Sequence, residues 1–117
     1  MNVEELREYC LSKKGVTEDM PFGEDTLVFR VMDKIFLLTN LEGELRINLK
    51  CDPARAIELR EENPAVIPGY HMNKKHWNTV IMDGSLTRKL VLSLIDHSYE
   101  LVAESLPGGK KNELRKF

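Results

Sequence analysis

The sequence predicts an α+β fold: one antiparallel sheet with helices packed on one of its faces. Three observations predict it. Helical and strand-like patterns follow one another in the order helix, three strands, helix, strand, helix. Very short turns separate the first three strands, and connections that short join only antiparallel neighbours. Helices that flank a meander, rather than alternate with its strands, cover it from one side. At 117 residues the chain is one domain. A chain of this size buries roughly two thirds of its unfolded surface, so it folds without a metal or a disulfide.

The elements follow in order. Asn2 is an N-cap, and Leu6, Tyr9 and Cys10 fall on one helical face, so residues 3–14 read as a helix that Gly15 ends. Thr17 to Asp25 reads as a loop around Pro21-Phe22-Gly23. Leu27, Phe29 and Val31 then alternate with Thr26, Val28 and Arg30, the period of a strand. Met32-Asp33-Lys34 turns the chain into the apolar run Ile35 to Asn40, a central strand, and Glu42-Gly43 turns it again. Leu45, Ile47 and Leu49 alternate with Arg46, Asn48 and Lys50 in a third strand, which leaves Arg46 and Lys50 on the face away from the core.

Asp52-Pro53 is an N-cap followed by proline at the first helical position, and Asn63-Pro64 closes that helix. Residues 64–76 read as an ordered loop. Trp77 to Asp83 reads as a fourth strand with Trp77, Thr79 and Ile81 on one face. Ser85 is expected to cap a last helix over 86–104, with an apolar stripe of Leu90, Val91, Leu94, Ile95, Leu101 and Val102. The domain is thus read as 1–104, and 105–117 as a charged, mobile tail after Pro107-Gly108-Gly109.

Composition narrows the function classes. Hydrophobic residues make up 42% and charged residues 31%, as in an ordinary soluble domain. No run of apolar residues is long enough to span a bilayer, and the acidic start does not resemble a signal peptide, so the expected location is the cytoplasm. Cys10 and Cys51 are then two small buried hydrophobes rather than a bridge. The net charge of −2 hides an asymmetry: residues 1–25 carry −4 and residues 105–117 carry +3. Dedicated nucleic-acid binders more often show a clear basic excess.

No phosphate loop, nucleophile elbow or HExxH motif is present. His71 and His76 flank Lys74 and Lys75, which oppose a cation, and two imidazoles fall short of the four ligands of a structural zinc site. No metal, no cofactor and no catalytic residue is expected, and the protein is read as a non-enzyme and a monomer. The segment Pro68 to Thr79 is different. Its twelve residues hold Lys74 and Lys75, His71 and His76, Asn73 and Asn78, Tyr70 and Trp77. Cations steer phosphates, aromatics stack on bases, and asparagine reads base edges. The plain alternative is that Tyr70 and Trp77 are core aromatics and the lysines keep a loop soluble. Arg88 and Lys89 fall in the first turn of the last helix, where they oppose the macrodipole but strengthen a phosphate site.

Several stretches together resemble the MmcQ/YjbR-like family of small bacterial proteins, over residues 3–104. They are Pro21-Phe22-Gly23, Lys50-Cys51-Asp52-Pro53 with Leu59-Arg60, the block Pro64 to Val80, Asp83-Gly84-Ser85-Leu86, and Ser98 to Val102. The resemblance implies a frataxin-like (CyaY-like) sandwich and a double-wing arrangement proposed to bind DNA. Carried onto this chain, it makes Tyr70 to Asn78 the contact region. Family members often have proline and acidic residues where this chain has Thr87-Arg88-Lys89.

Two readings follow. In the first, double-stranded DNA is bound, with phosphates held by Lys74, Lys75, Arg88 and Lys89, and with Tyr70, His71, Asn73, His76, Trp77 and Asn78 in the interface. In the second, a small molecule or a protein docks in a pocket around Tyr70, His71, Trp77 and the Pro21-Phe22-Gly23 loop. The acids Glu4, Glu5, Glu8, Glu18, Asp19, Glu24 and Asp25 invite an iron role by fold analogy alone.

Overall fold

A computed structural model describes residues 1–69 and 72–117. Asn2 caps α1 (Val3–Leu11) by accepting the Glu5 N–H at 2.9 Å. The helix ends at Leu11, three residues earlier than periodicity suggests. The next residues, Val16–Asp19, form strand β1 rather than loop. The hairpin of β2 (Thr26–Val31) and β3 (Lys34–Asn40) turns through Met32 and Asp33, both with positive φ, a conformation that matches strand twist in a two-residue connection. After β4 (Arg46–Lys50) comes α2 (Pro53–Glu62), capped by Asp52 and closed at Asn63. A short strand β5 (Val66–Pro68) precedes β6 (Trp77–Ile81).

The last two elements differ from expectation. Ser85 does not cap α3; its N–H donates to Asp83 at 2.9 Å in a local turn. Thr87 caps α3 (Arg88–Glu104) instead, by accepting the Leu90 N–H. Residues 105–117, read as a mobile tail, contain helix α4 (Gly108–Arg115). Leu106 is buried, Leu114 packs against the core, and Lys110 pairs with Asp33 at 2.7 Å. The diglycine that looked like a terminator is the first turn of this helix.

The six strands pair antiparallel in the order β1-β2-β3-β4-β6-β5. The helices lie on one face. There Leu27, Phe29, Val31, Ile47, Leu49 and Val80 meet Leu6 and Cys10 of α1, Ala56 and Leu59 of α2, and Val91, Leu94, Ile95 and Val102 of α3. The pairing of β2 with β3 slips between Phe29 and Arg30, whose partners are Leu37 and Ile35, so Phe36 bulges. Its carbonyl accepts the Ser98 hydroxyl of α3 at 2.5 Å, and the same hydroxyl accepts the Lys50 N–H at 2.9 Å. One buried serine thus ties α3 to two strands and leaves no orphan at the bulge. Both cysteines are buried and unbridged, and burial pushes the Cys10 thiol up to about 12. No helix among the described residues is long and apolar enough to cross a membrane.

Candidate functional site

The opposite face of the sheet carries no helix. Period two places Thr26, Val28 and Arg30 of β2, Leu38 and Asn40 of β3, Arg46, Asn48 and Lys50 of β4, and Trp77, Thr79 and Ile81 of β6 there. Arg46 and Lys50 are on the side that the alternation of β4 requires. Two loops border this face. One, 20–25, carries Phe22, which is 66% exposed. The other runs from Met72 into β6.

Between the two loops lies a cleft of about 460 Å³. Phe22, Leu38 and Met72 give it apolar walls, and Thr26, Asn40, Arg46, Asn48 and Thr79 bring polar groups to it. Several of these groups are already used. The Asn40 amide donates to the Glu42 and Glu44 carbonyls and accepts the Arg46 N–H, which shapes the β3–β4 turn. The Thr79 hydroxyl donates to Asn48 Oδ1 at 2.5 Å, which turns the Asn48 Nδ2 away from Thr79. A shallower depression of about 510 Å³ lies over Gly15 beside Phe117. Its Lys13 is committed to Asp96 and sits over the rings of Tyr9 and Tyr99.

Among the described residues, those expected at a DNA interface do not form one patch. Tyr70 and His71 lie outside the described residues. Asn73 builds the loop: its Oδ1 accepts the Lys75 N–H, and its carbonyl accepts the N–H groups of His76 and Trp77. Lys74 and Lys75 are exposed and make no ion pair among the described residues. The Arg60 guanidinium holds the Lys74 carbonyl at 3.0 Å, and the Cys51 N–H holds that of His76 at 2.7 Å. The half-buried Trp77 stands across from Lys50. Asn78 corrects the expectation. It shares the helix-covered face with Val80, is 3% exposed, and donates to the Ala56 carbonyl of α2. A side chain buried there reads no base.

Arg88 and Lys89 stand beyond the other end of β6, roughly 13 Å of strand from Trp77. Arg88 is spent on Glu5, whose carboxyl it holds below the usual carboxylate range. Part of the acidic N-terminal segment is likewise paired. Glu18 receives both ends of the Arg7 guanidinium, and Asp19 that of Arg30. Among the described residues no three His, Cys, Asp or Glu side chains converge as metal ligands. The cleft's polar lining was not legible as a site, because β4 and β6 meet only through long-range pairing. Of the second reading's pocket residues, Phe22 lines the cleft; Met72, rather than Trp77, faces it from the other loop.

A six-stranded antiparallel sheet with helices on one face and a loop-bordered cleft on the other defines a small α+β domain. The chain belongs to the YjbR family, whose sequence model matches residues 11–101. It is 33% identical to uncharacterized protein YjbR of Escherichia coli K12, over 97% of this chain and 98% of that one. It is 38% identical to uncharacterized protein YbdF of Escherichia coli O157:H7, over 81% and 79%. A crystal structure of a Deinococcus radiodurans protein with domain DUF419 superimposes with a TM-score of 0.91 at 38% identity, covering 97% of this chain and 87% of that one. A Pseudomonas syringae crystal structure gives 0.76 at 34% identity, covering 86% and 98%. These relatives bring a fold and a family without an activity.

Proposed function

We propose that this protein is a non-catalytic binding module that takes a small ligand on the helix-free face of its sheet. One observation carries the reading: the cleft between Phe22 and Met72, about 460 Å³ in volume. That volume falls within the usual range of small-molecule sites, roughly 300–1,000 Å³, which are mostly apolar with a few convergent polar groups. Its described lining offers hydroxyls, amides and one guanidinium, and pairs no nucleophile with a base. The reading is tested by two-dimensional amide NMR against a fragment library. Binding is expected to shift Thr26, Leu38, Asn48 and Thr79 and to weaken at least fivefold in Phe22→Ala. Hits that all shift other surfaces would overturn it.

A second reading is favoured by a separate observation: Lys74 and Lys75 stand unpaired among the described residues, with Lys50 and Trp77 on the adjoining strands. Those three cations suit the phosphates of duplex DNA. The opposite end of the sheet, where β2 starts and β3 meets β4, carries Glu24, Asp25, Glu42 and Glu44. Phosphates continuing across the face meet that repulsion, so the footprint is confined to the loop. Two or three neutralised phosphates give a log–log salt slope of about −2 to −3.

A further inference from the structure

We infer that the ligand of this cleft is a small monocarboxylate with a flat apolar body. The inference rests on the cleft reading and adds the chemical class. Arg46 is the charged side chain among the described residues of the cleft wall. Its position is fixed from both sides of its backbone: its N–H donates to Asn40 at 2.8 Å, and its carbonyl accepts the Thr39 hydroxyl at 2.9 Å. Its guanidinium is held only loosely, 3.6 Å from Glu44, with both side chains about half exposed, at 49% and 53%. An exposed pair of that kind is worth little, so an incoming carboxylate displaces Glu44 at small cost. A guanidinium also presents two parallel N–H donors that match a carboxylate.

Asn48 adds a neighbouring donor. It lies two residues along β4 on the same face, and its Oδ1 already accepts from Thr79. Its Nδ2 has no partner among the described residues and is left to bind an acceptor. The anion end of the cleft is therefore Arg46 with Asn48, and the body of the ligand lies between the Phe22 ring and the Met72 thioether above Leu38.

Charge count selects a monoanion. One guanidinium neutralises one charge, Glu44 lies 3.6 Å from it, and Glu24, Asp25 and Glu42 stand at the same end of the sheet. A dianionic phosphate there keeps an uncompensated charge against that rim. A neutral ligand of the same shape forgoes the bidentate contact.

The test uses three probes with one aromatic body, 2-naphthoate, 2-naphthamide and 2-naphthyl phosphate, titrated by NMR against the full chain. Naphthoate is expected to bind about tenfold more tightly than the amide and more tightly than the phosphate, with shifts at Leu38, Asn48 and Thr79. In Arg46→Gln the preference for the acid over the amide collapses to within twofold, and an amide NMR spectrum unchanged for the helix-side core residues certifies the fold. Equal affinity for acid and amide overturns the carboxylate inference but leaves the cleft reading standing. So does an acid preference that survives Arg46→Gln. Tightest binding of the phosphate overturns the monoanion and points to phosphorylated ligands. Absence of all three probes from the cleft overturns both this inference and the reading beneath it.

Discussion

Ser98 stands fully buried in α3, with its hydroxyl between the Phe36 carbonyl and the Lys50 N–H. Removing it strands two backbone groups in a dry core, each costing about 1–3 kcal/mol when unpaired. Ser98→Ala is expected to lose about 2–4 kcal/mol in urea denaturation with an unchanged m-value. The next residue along the chain, His97, acts through pH. Its Nε2 accepts the Asp52 N–H at 3.2 Å, which requires a neutral ring. Burial lowers its pKa from the usual 6.5, and Arg55 adds to this, while Asp52 and Glu100 oppose it. The unfolded chain therefore takes up the proton first as pH falls. The contribution is full above 6.5 and is lost as pH drops through the lower folded value. Denaturation at pH 7.5 and 5.5 should show wild type losing stability across this window and His97→Gln losing less. A parallel loss in both proteins would assign the effect elsewhere.

Elements differ in how far local sequence announced them. α1, α2, α3 and the strands from β2 to β4 and β6 were legible because each carries a full period of apolar residues or a side-chain cap. β1 was hidden because Val16-Thr17-Glu18-Asp19 has one apolar residue; it is an edge strand held by pairing to β2 and by Arg7. β5 has three residues, too few to display a period. α4 was hidden because its start is Gly108-Gly109, poor helix formers, and Leu114 is its one aliphatic side chain; packing decides it. The contact is specific: Gly15 sits at φ +71, and a Cβ there would meet Leu114 Cδ1 at 2.7 Å. Gly15→Ala therefore combines left-handed strain, about 1–2 kcal/mol, with a clash that only a shifted Leu114 relieves. In a Leu114→Ala background the loss should shrink toward the strain plus the 3.2 Å approach to Met32 Sδ. A double-mutant cycle without coupling would mean that α4 does not dock on Gly15 in solution.

At the scale of the molecule, the strand order decides the site. Setting β4 beside β6 brings Arg46 and Asn48 against Thr79 and creates a face no local pattern announces. The same period that turns Trp77 and Thr79 toward the helix-free face turns Asn78 toward the helices beside Val80. The sign of that residue's role was thus in the alternation of β6, although its side-chain chemistry suggested base reading. Charge is divided along this face: acids at the Arg46 end, and Lys50, Lys74 and Lys75 at the Trp77 end. The division makes the two binding readings separable by one variant. Lys74→Ala/Lys75→Ala removes two exposed cations that make no ion pair among the described residues, so stability should stay within about 0.5 kcal/mol. Fluorescence anisotropy on a generic duplex from 25 to 300 mM salt should then show the log–log slope fall by about 2, near 0.9 per lost phosphate contact. Naphthoate affinity in the cleft should stay within twofold, because neither lysine lines it. A duplex slope unmoved by the substitutions would remove the loop from the DNA reading. A cleft affinity that fell with them would join the two sites into one extended surface, with Lys74 and Lys75 contributing to the anion's binding from the rim.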